Sequence, residues 1–395
     1  MSRLKLAIVV SHPIQHFCPQ YVNWSKLGVL DLKVIFASRQ GLDSYHDKSF
    51  DMEIKWQGLN LEFDHVFLPG AKGKAVNQFL DCPAVVDALA EYGPDIVLVY
   101  GYFQPLQRRA MRWAKSNGKR LLMIGDSELR QARNPLKGMI KQFLLPRIFF
   151  DVALFLTVGD ANEAYYRHYG VPDHKLVRTF FPIDVALFDH ALQVRDQQRA
   201  RVRSSLNIPN DHMVALMVGK LVPSKNQRDL VAASNVLQSR NSRVTIVLAG
   251  TGPDSKQLVE EAQNCGPGGV IFAGFVSPSE LVNYYMAADV YVHCSAKDAH
   301  SLAISEAIYA GLPVLVSDRC GSYGPSDDVR TGLNGYVYTC GDVSALVGLL
   351  ERLVSEPESR RQFGIESRQL GVSHQALAHG RAVVQAVNSL NLITS

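Results

Sequence analysis

Ten short strand-like runs recur along the chain: Leu6–Val10, Leu32–Phe36, Ile96–Tyr100, Arg120–Ile124, Val152–Val158, Met213–Val218, Val244–Ala249, Val270–Ala273, Val290–His293 and Val314–Ser317, with helical stretches between them. Such alternation argues for parallel sheets covered on both faces. An α/β fold is therefore expected. At 395 residues the chain exceeds what a single core usually serves, so two domains in succession are expected. Between Pro182 and Asp211 the pattern becomes charged and poorly periodic, as in Arg195-Asp-Gln-Gln-Arg-Ala-Arg-Val-Arg203. The first domain is accordingly placed at 1–187, a linker at 188–211, the second domain at 212–373 and a terminal segment at 374–395.

Hydrophobic residues make up 47% and charged residues 20%, which excludes disorder and coiled coil. The net charge of +4 is too small to argue for nucleic acid and fits an enzyme handling anionic nucleotides near an anionic bilayer. Cys18, Cys82, Cys265, Cys294, Cys320 and Cys340 show no paired close spacing, so no zinc site or disulfide framework is legible. The N-terminus runs directly into a strand without a signal-peptide pattern, and no window approaches the roughly 18 apolar residues of a membrane helix. A cytoplasmic protein is expected.

One stretch carries the chemistry: Asp298-Ala-His-Ser-Leu-Ala-Ile-Ser-Glu306-Ala-Ile-Tyr-Ala-Gly311-Leu-Pro313, followed by Val314-Leu-Val-Ser-Asp318. Ser301 to Ala310 lacks Gly and Pro, and Gly311 with Pro313 supplies a left-handed stop, so the stretch reads as acidic loop, helix and buried strand. Glu306 then sits within a nearly all-apolar helix. A carboxylate there needs a partner or a polar ligand, and the free N–H groups at the helix start suit a phosphate.

The two acids flanking seven residues, followed by Ala, a small helix and Gly-x-Pro, resemble the signature of retaining glycosyltransferases of the GT-B fold, family four. Glu306 matches that family's second Glu, while Asp298 stands in place of its first. The resemblance implies a fold of two Rossmann-like domains facing a cleft, with 374–395 forming a helix that packs back toward the first. It also implies that Glu306 holds the ribose of a donor nucleotide, Asp298 meets a hydroxyl of the donor sugar, and the backbone of His300, Ser301 and Leu302 faces the diphosphate. Upstream, Met217-Val-Gly219-Lys220-Leu221-Val-Pro223-Ser-Lys225-Asn226 resembles the family's Gly-Arg-Leu followed by Lys-Gly, with Lys220 for Arg and Asn226 for Gly. Two cations at a strand-to-helix turn suit a diphosphate leaving group. Gly250 closes the next strand in a glycine turn, and by resemblance the backbone around Phe275 and Val276 contacts the nucleobase.

Ligands of open α/β sheets bind at the carboxyl ends of the strands. In the first domain these loops hold His12, Gln15 and His16, read as acceptor-cleft residues, and Tyr102, read either as a sugar platform or as core. The following loop holds Asp126, which would polarise an acceptor hydroxyl, hold donor hydroxyls or simply cap a helix. Arg130, Arg133, Lys137, Lys141 and Arg147 interleave with apolar residues up to Phe150, so a basic amphipathic helix is expected before Pro146. A core helix with a solvated basic face is favoured there over a peripheral membrane contact.

These expectations converge on a glycosyltransferase that retains configuration, uses no metal or other cofactor and takes a nucleotide sugar, UDP rather than GDP, to a saccharide or lipid-linked acceptor. Lys220, Lys225, Asp298, Glu306 and Asp126 would form its catalytic set. The other readings are a sugar-nucleotide epimerase or hydrolase of the same architecture and a catalytically silent partner subunit.

Overall fold

A computed structural model describes residues 3–47, 52–56, 58–130, 135–263 and 269–392. In chain order the strands are β1 (Leu4–Val10), β2 (Leu30–Phe36), β3 (Tyr45–Asp47), β4 (Met52–Ile54), β5 (His65–Phe67), β6 (Ile96–Tyr100), β7 (Arg120–Gly125), β8 (Leu154–Thr157) and β9 (Leu176–Arg178), then β10 (Met213–Val218), β11 (Val244–Ala249), β12 (Val270–Gly274), β13 (Val290–His293), β14 (Val314–Ser317) and β15 (Gly335–Tyr338). One sheet runs β5-β2-β1-β6-β7-β8-β9, the other β12-β11-β10-β13-β14-β15, and every recorded pairing within both is parallel. Each sheet is buried on both faces, which is why its strands are unbroken apolar runs: Ile8 and Val10 point into one layer and Ala7 and Val9 into the other.

In each sheet the strand order reverses once, between β1 and β6 and again between β10 and β13. Loops on either side of such a reversal splay apart and leave a crevice at the carboxyl ends. The loops after β10 and β13 are those that carry Lys220 with Lys225, and Asp298 with His300.

The stretch expected to be a linker is not irregular. It holds most of the helix Val185–Gln193 and the whole of Arg195–Ser205. Arg199 and Arg203, one turn apart, both grip Asp289 just before β13, so the charges of the expected linker clamp the chain to the second domain.

At its far end the chain returns. After the helix Pro357–Ala376 and a π-helical turn, the helix Ala382–Leu392 buries Ala382, Val383, Ala386, Val387 and Leu390 in the layer that holds Leu6, Tyr21 and Trp24. The two passes between domains lie side by side. Gln375 donates to the Phe181 carbonyl at 2.9 Å and accepts from the Ile183 amide at 2.9 Å, while Phe180, at φ 63°, stacks on His374 with ring centres 3.5 Å apart.

Two more expectations were altered by packing. The basic helix runs Pro135–Phe150, straight through Pro146, and among its described side chains only Leu145 and Phe149 are buried; Met139, Ile140, Phe143, Leu144 and Phe150 are all exposed. It is therefore not a core helix with a solvated basic face. Arg130 precedes it and reaches the second domain, donating to the carbonyls of Cys320 (2.7 Å) and Tyr323 (2.9 Å). Arg133 and Cys265 lie outside the described residues, as does the side chain of Lys137.

Candidate donor site

A cleft of about 710 Å³ opens between the two sheets. Its floor is set by backbone: Gly219 and Gly250 adopt φ of 148° and 155°, and a Cβ on Gly250 would lie 1.9 Å from the Gly219 carbonyl oxygen. Only glycine lets the two turns meet that closely. Lys220 and Lys225 stand over this floor and line the cleft.

Both cations are engaged. Lys225 Nζ lies 2.5 Å from Asp298 Oδ2, and His293 Nε2 lies 2.7 Å from the same oxygen. Burial would raise the Asp298 carboxyl, but His293 and Lys225 outweigh it and hold it near 2. His293, lowered chiefly by burial, also meets Tyr291 at 3.2 Å and Ser295 at 2.9 Å. Lys220 reaches across the cleft to Asp47 of the first domain, 3.2 and 3.3 Å from its two oxygens.

The helix Leu302–Tyr309 begins at the same cleft, lined there by Ser301, Leu302 and Ala303. The Ser301 amide donates to the Ser322 hydroxyl at 2.8 Å and the Ile304 amide to the Ser301 carbonyl at 3.1 Å, so Leu302 and Ala303 carry the N–H groups without a partner within the helix. Its stop is the Gly311 expected, at φ 78°. One turn in, Glu306 accepts a 2.7 Å hydrogen bond from Tyr285 on the helix Pro278–Ala287. Burial raises Glu306 to about 7, with the Tyr285 hydroxyl opposing. Sequence reasoning missed Tyr285. Its position in Asn-Tyr-Tyr-Met, in an apolar helix, was the available signal, but a pairing across 21 residues has no local signature. Phe275 and Val276 line the cleft close to this end.

His300 lines the cleft, but its side chain is committed elsewhere. Nε2 meets the Val158 carbonyl of the first domain at 2.7 Å and lies 3.4 Å from Asp327, while Nδ1 meets Ser322 at 2.8 Å. Burial alone would lower it, but Asp327, Asp328 and the Val158 carbonyl raise it to about 9. His300 is thus a charged interdomain tie. Around it Asp327 accepts from the Asp160 amide at 2.6 Å, Asp328 pairs with His374 at 2.9 Å, and Arg178 bonds Asp160 at 2.7 Å and the Ser326 carbonyl at 3.1 Å.

Among the first-domain residues, Gln15 and His16 line the cleft; His12 does not, its Nδ1 being 2.8 Å from Ser11 of its own loop. Burial lowers both imidazoles to about 4, so both are neutral at pH 7, and His12 adds to the depression of His16. Tyr102 is outside the cleft lining as well. Its hydroxyl lies 3.0 Å from that of Tyr165 and its ring packs on Phe149, because the loop folds back over the first core. Asp126 is exposed beyond the end of β7 and is not part of the lining. Surrounding protein raises its carboxyl, its own backbone and His300 oppose, and Asp298 adds to the rise. Trp56, Lys55 and Asn60, which also line the first-domain wall, had no sequence signal.

Among the described residues two trios have ligating atoms close enough to hold a cation, His293–Asp298–Cys320 and His300–Asp327–Asp328. Both are already knitted by the hydrogen bonds above, and burial keeps the Cys320 thiol protonated up to about 12.

Comparison with known proteins agrees with this geometry. Residues 198–370 match the family described as glycosyl transferases group 1. Over 178 residues the chain is 30% identical to alpha-monoglucosyldiacylglycerol synthase of Streptococcus pneumoniae, covering 45% of this chain and 39% of that one. Over 145 residues it is 31% identical to the lipopolysaccharide 1,2-N-acetylglucosaminetransferase of Salmonella typhimurium, covering 34% and 37%. The chain thus spans about two fifths of the length of these relatives. Anabaena HepE, solved in complex with UDP, superposes over 98% of this chain and 100% of its own with a TM-score of 0.71 at 13% identity. Sucrose-phosphate synthase of Thermosynechococcus elongatus superposes over 100% of both with 0.69 at 18% identity. From Arg130's reach to the return of the last helix, the whole chain has the two-domain GT-B fold of these solved structures, and within it residues 198–370 resemble the family described as glycosyl transferases group 1.

Proposed function

We propose that the protein is a retaining, metal-independent glycosyltransferase that moves a sugar from a nucleoside diphosphate sugar to a saccharide or lipid-linked saccharide acceptor, in polysaccharide or glycolipid assembly. The observation that carries this reading is the arrangement of one cleft. A half-buried carboxyl, Glu306, lies at its nucleoside end, and two lysines over a glycine floor beside a helix N-terminus lie at its phosphate end. Fixed positive groups there oppose the charge that develops on a departing diphosphate, so the leaving group needs no cation of its own. Asp298, ionised far below neutral pH, accepts hydrogen bonds from donor-sugar hydroxyls. The acceptor attacks from the face the diphosphate leaves, and the diphosphate takes its proton. UDP is favoured over GDP because the similarly folded HepE is solved with UDP.

The reading extends to a membrane. No helix among the described residues is long and apolar enough to cross one, but Pro135–Phe150 exposes a row of large apolar side chains and contains no acid. Such a face favours an anionic bilayer, at whose inner surface a lipid-linked acceptor is held.

Purified protein is mixed with UDP, GDP and ADP and their sugar conjugates and its thermal midpoint followed. A ligand at about a hundred times its Kd stabilises by ~2.7 kcal/mol. One nucleotide series is expected to shift wild type, and Glu306→Ala and Lys225→Ala to abolish the shift while remaining folded. With donor and acceptor, the product anomer by NMR is expected to match the donor. An inverted product would hand the base to Asp126 or His16, and donor consumption without acceptor would favour an epimerase or hydrolase.

A further inference from the structure

The first domain sends an anion into the second domain's phosphate end. Asp47 ends β3, one strand of an antiparallel pair that belongs to neither large sheet. Its two carboxylate oxygens lie 3.3 and 3.2 Å from Lys220 Nζ. The contact is partly shielded, with 15% of the Asp47 side chain and 34% of that of Lys220 exposed. Lys225 is paired as well, but with Asp298 of its own domain; only Lys220 is held from across the cleft.

We infer that Asp47 is a competing anion that occupies Lys220 in the unliganded protein and sets the charge a donor must bring to displace it. This inference rests on the donor-site reading above. A diphosphate that takes Lys220 Nζ must replace the Asp47 carboxylate there, so its binding is set against the ion pair it breaks. Either the carboxylate withdraws or the ligand binds more weakly, and both outcomes make Asp47 a tax on affinity. The diphosphate outbids it by carrying more than one negative charge to both lysines, which a phosphate-free nucleoside does not. Asp47 therefore acts through Lys220 as a specificity-determining residue and not as a catalytic one. The same strand pair leads into Trp56, whose amide donates to the Gly41 carbonyl at 3.0 Å and whose ring lines the cleft.

The test is calorimetric titration of full-length wild type, Asp47→Asn, Lys220→Gln and the double variant with UDP, GDP, inorganic pyrophosphate and uridine. Asp47→Asn is expected to bind the diphosphate about three- to tenfold tighter at low salt, with the gain shrinking at high salt. Uridine affinity should not move, and in the Lys220→Gln background the Asp47→Asn gain should vanish. Unchanged or weaker diphosphate binding by Asp47→Asn overturns the inference, as does an equal gain for uridine or a gain that survives without Lys220. If wild type binds diphosphates and Asp47→Asn matches it, only this inference fails. If neither protein binds UDP, GDP or pyrophosphate at millimolar concentration, the donor-site reading fails and takes this one with it.

Discussion

Glu306 shows what a functional residue costs its fold. Burial raises its carboxyl from 4.5 to about 7, so the folded chain holds this proton more tightly than the unfolded chain does. Stability from this group is complete below pH 4.5 and falls as pH rises towards 7, a loss on the order of 3 kcal/mol once the group is ionised. Glu306→Gln is therefore expected to be more stable than wild type at pH 8 by 1 to 3 kcal/mol (roughly, from the same linkage). The gap should close at pH 5 in denaturant titrations. The same variant should bind nucleotide at least tenfold more weakly, because a neutral amide accepts less strongly from ribose hydroxyls than a carboxylate does. Tyr285→Phe removes the one group recorded as opposing the rise, so its nucleotide affinity should fall at pH 7 and recover as pH is raised, which a Kd series across pH would show.

At the scale of elements, the helix Pro135–Phe150 makes the most direct prediction. Replacing Met139, Ile140, Phe143 and Leu144 with Ser should abolish co-sedimentation with phosphatidylglycerol vesicles while leaving nucleotide binding and thermal midpoint nearly unchanged, since all four are exposed. Its exposure was not legible in the sequence. Basic and apolar residues interleave there in a way that fits burial of either face, and only packing decided. The ten apolar strand runs were legible because double-sided burial leaves no alternation to misread. The three-residue strands His65–Phe67 and Leu176–Arg178 and the pair β3–β4 are too short to show a period. The segment 195–205 failed differently. Arg195, Arg199 and Arg203 recur every four residues, a helical spacing, but Arg201 and the neighbouring polar residues leave no apolar period to read, and it is Arg199 and Arg203 facing Asp289 that seat the helix. In the site, the glycine turns, both lysines and the acid pair followed from local pattern and fell in one cleft. Tyr285, Asp47 and Trp56 did not, since each owes its place to a distant element.

For the whole molecule, the interdomain tie at His300 governs stability at alkaline pH. Its imidazole is held at about 9 against an ordinary 6.5, so its stabilisation is fully present below 6.5 and is lost as pH rises through 9, a loss of roughly 3 kcal/mol. Unfolding free energy of wild type should fall across that window. His300→Gln should be less stable at pH 6.5 and show a flatter curve between 6.5 and 9. The returning helix predicts a different coupling: Leu390→Ala, at the far end of the chain from the first-domain core that it enters, should destabilise that domain by ~2–4 kcal/mol, seen as lost fluorescence protection of Trp24. Finally, the stacking of Phe180 on His374 puts both backbone crossings through one spot. Two pins set close together let a door swing and forbid it to slide. Opening of the cleft should thus be a rotation about a line through that aromatic pair, with the mouth near Asp47 and Lys220 travelling furthest and the crossings hardly moving.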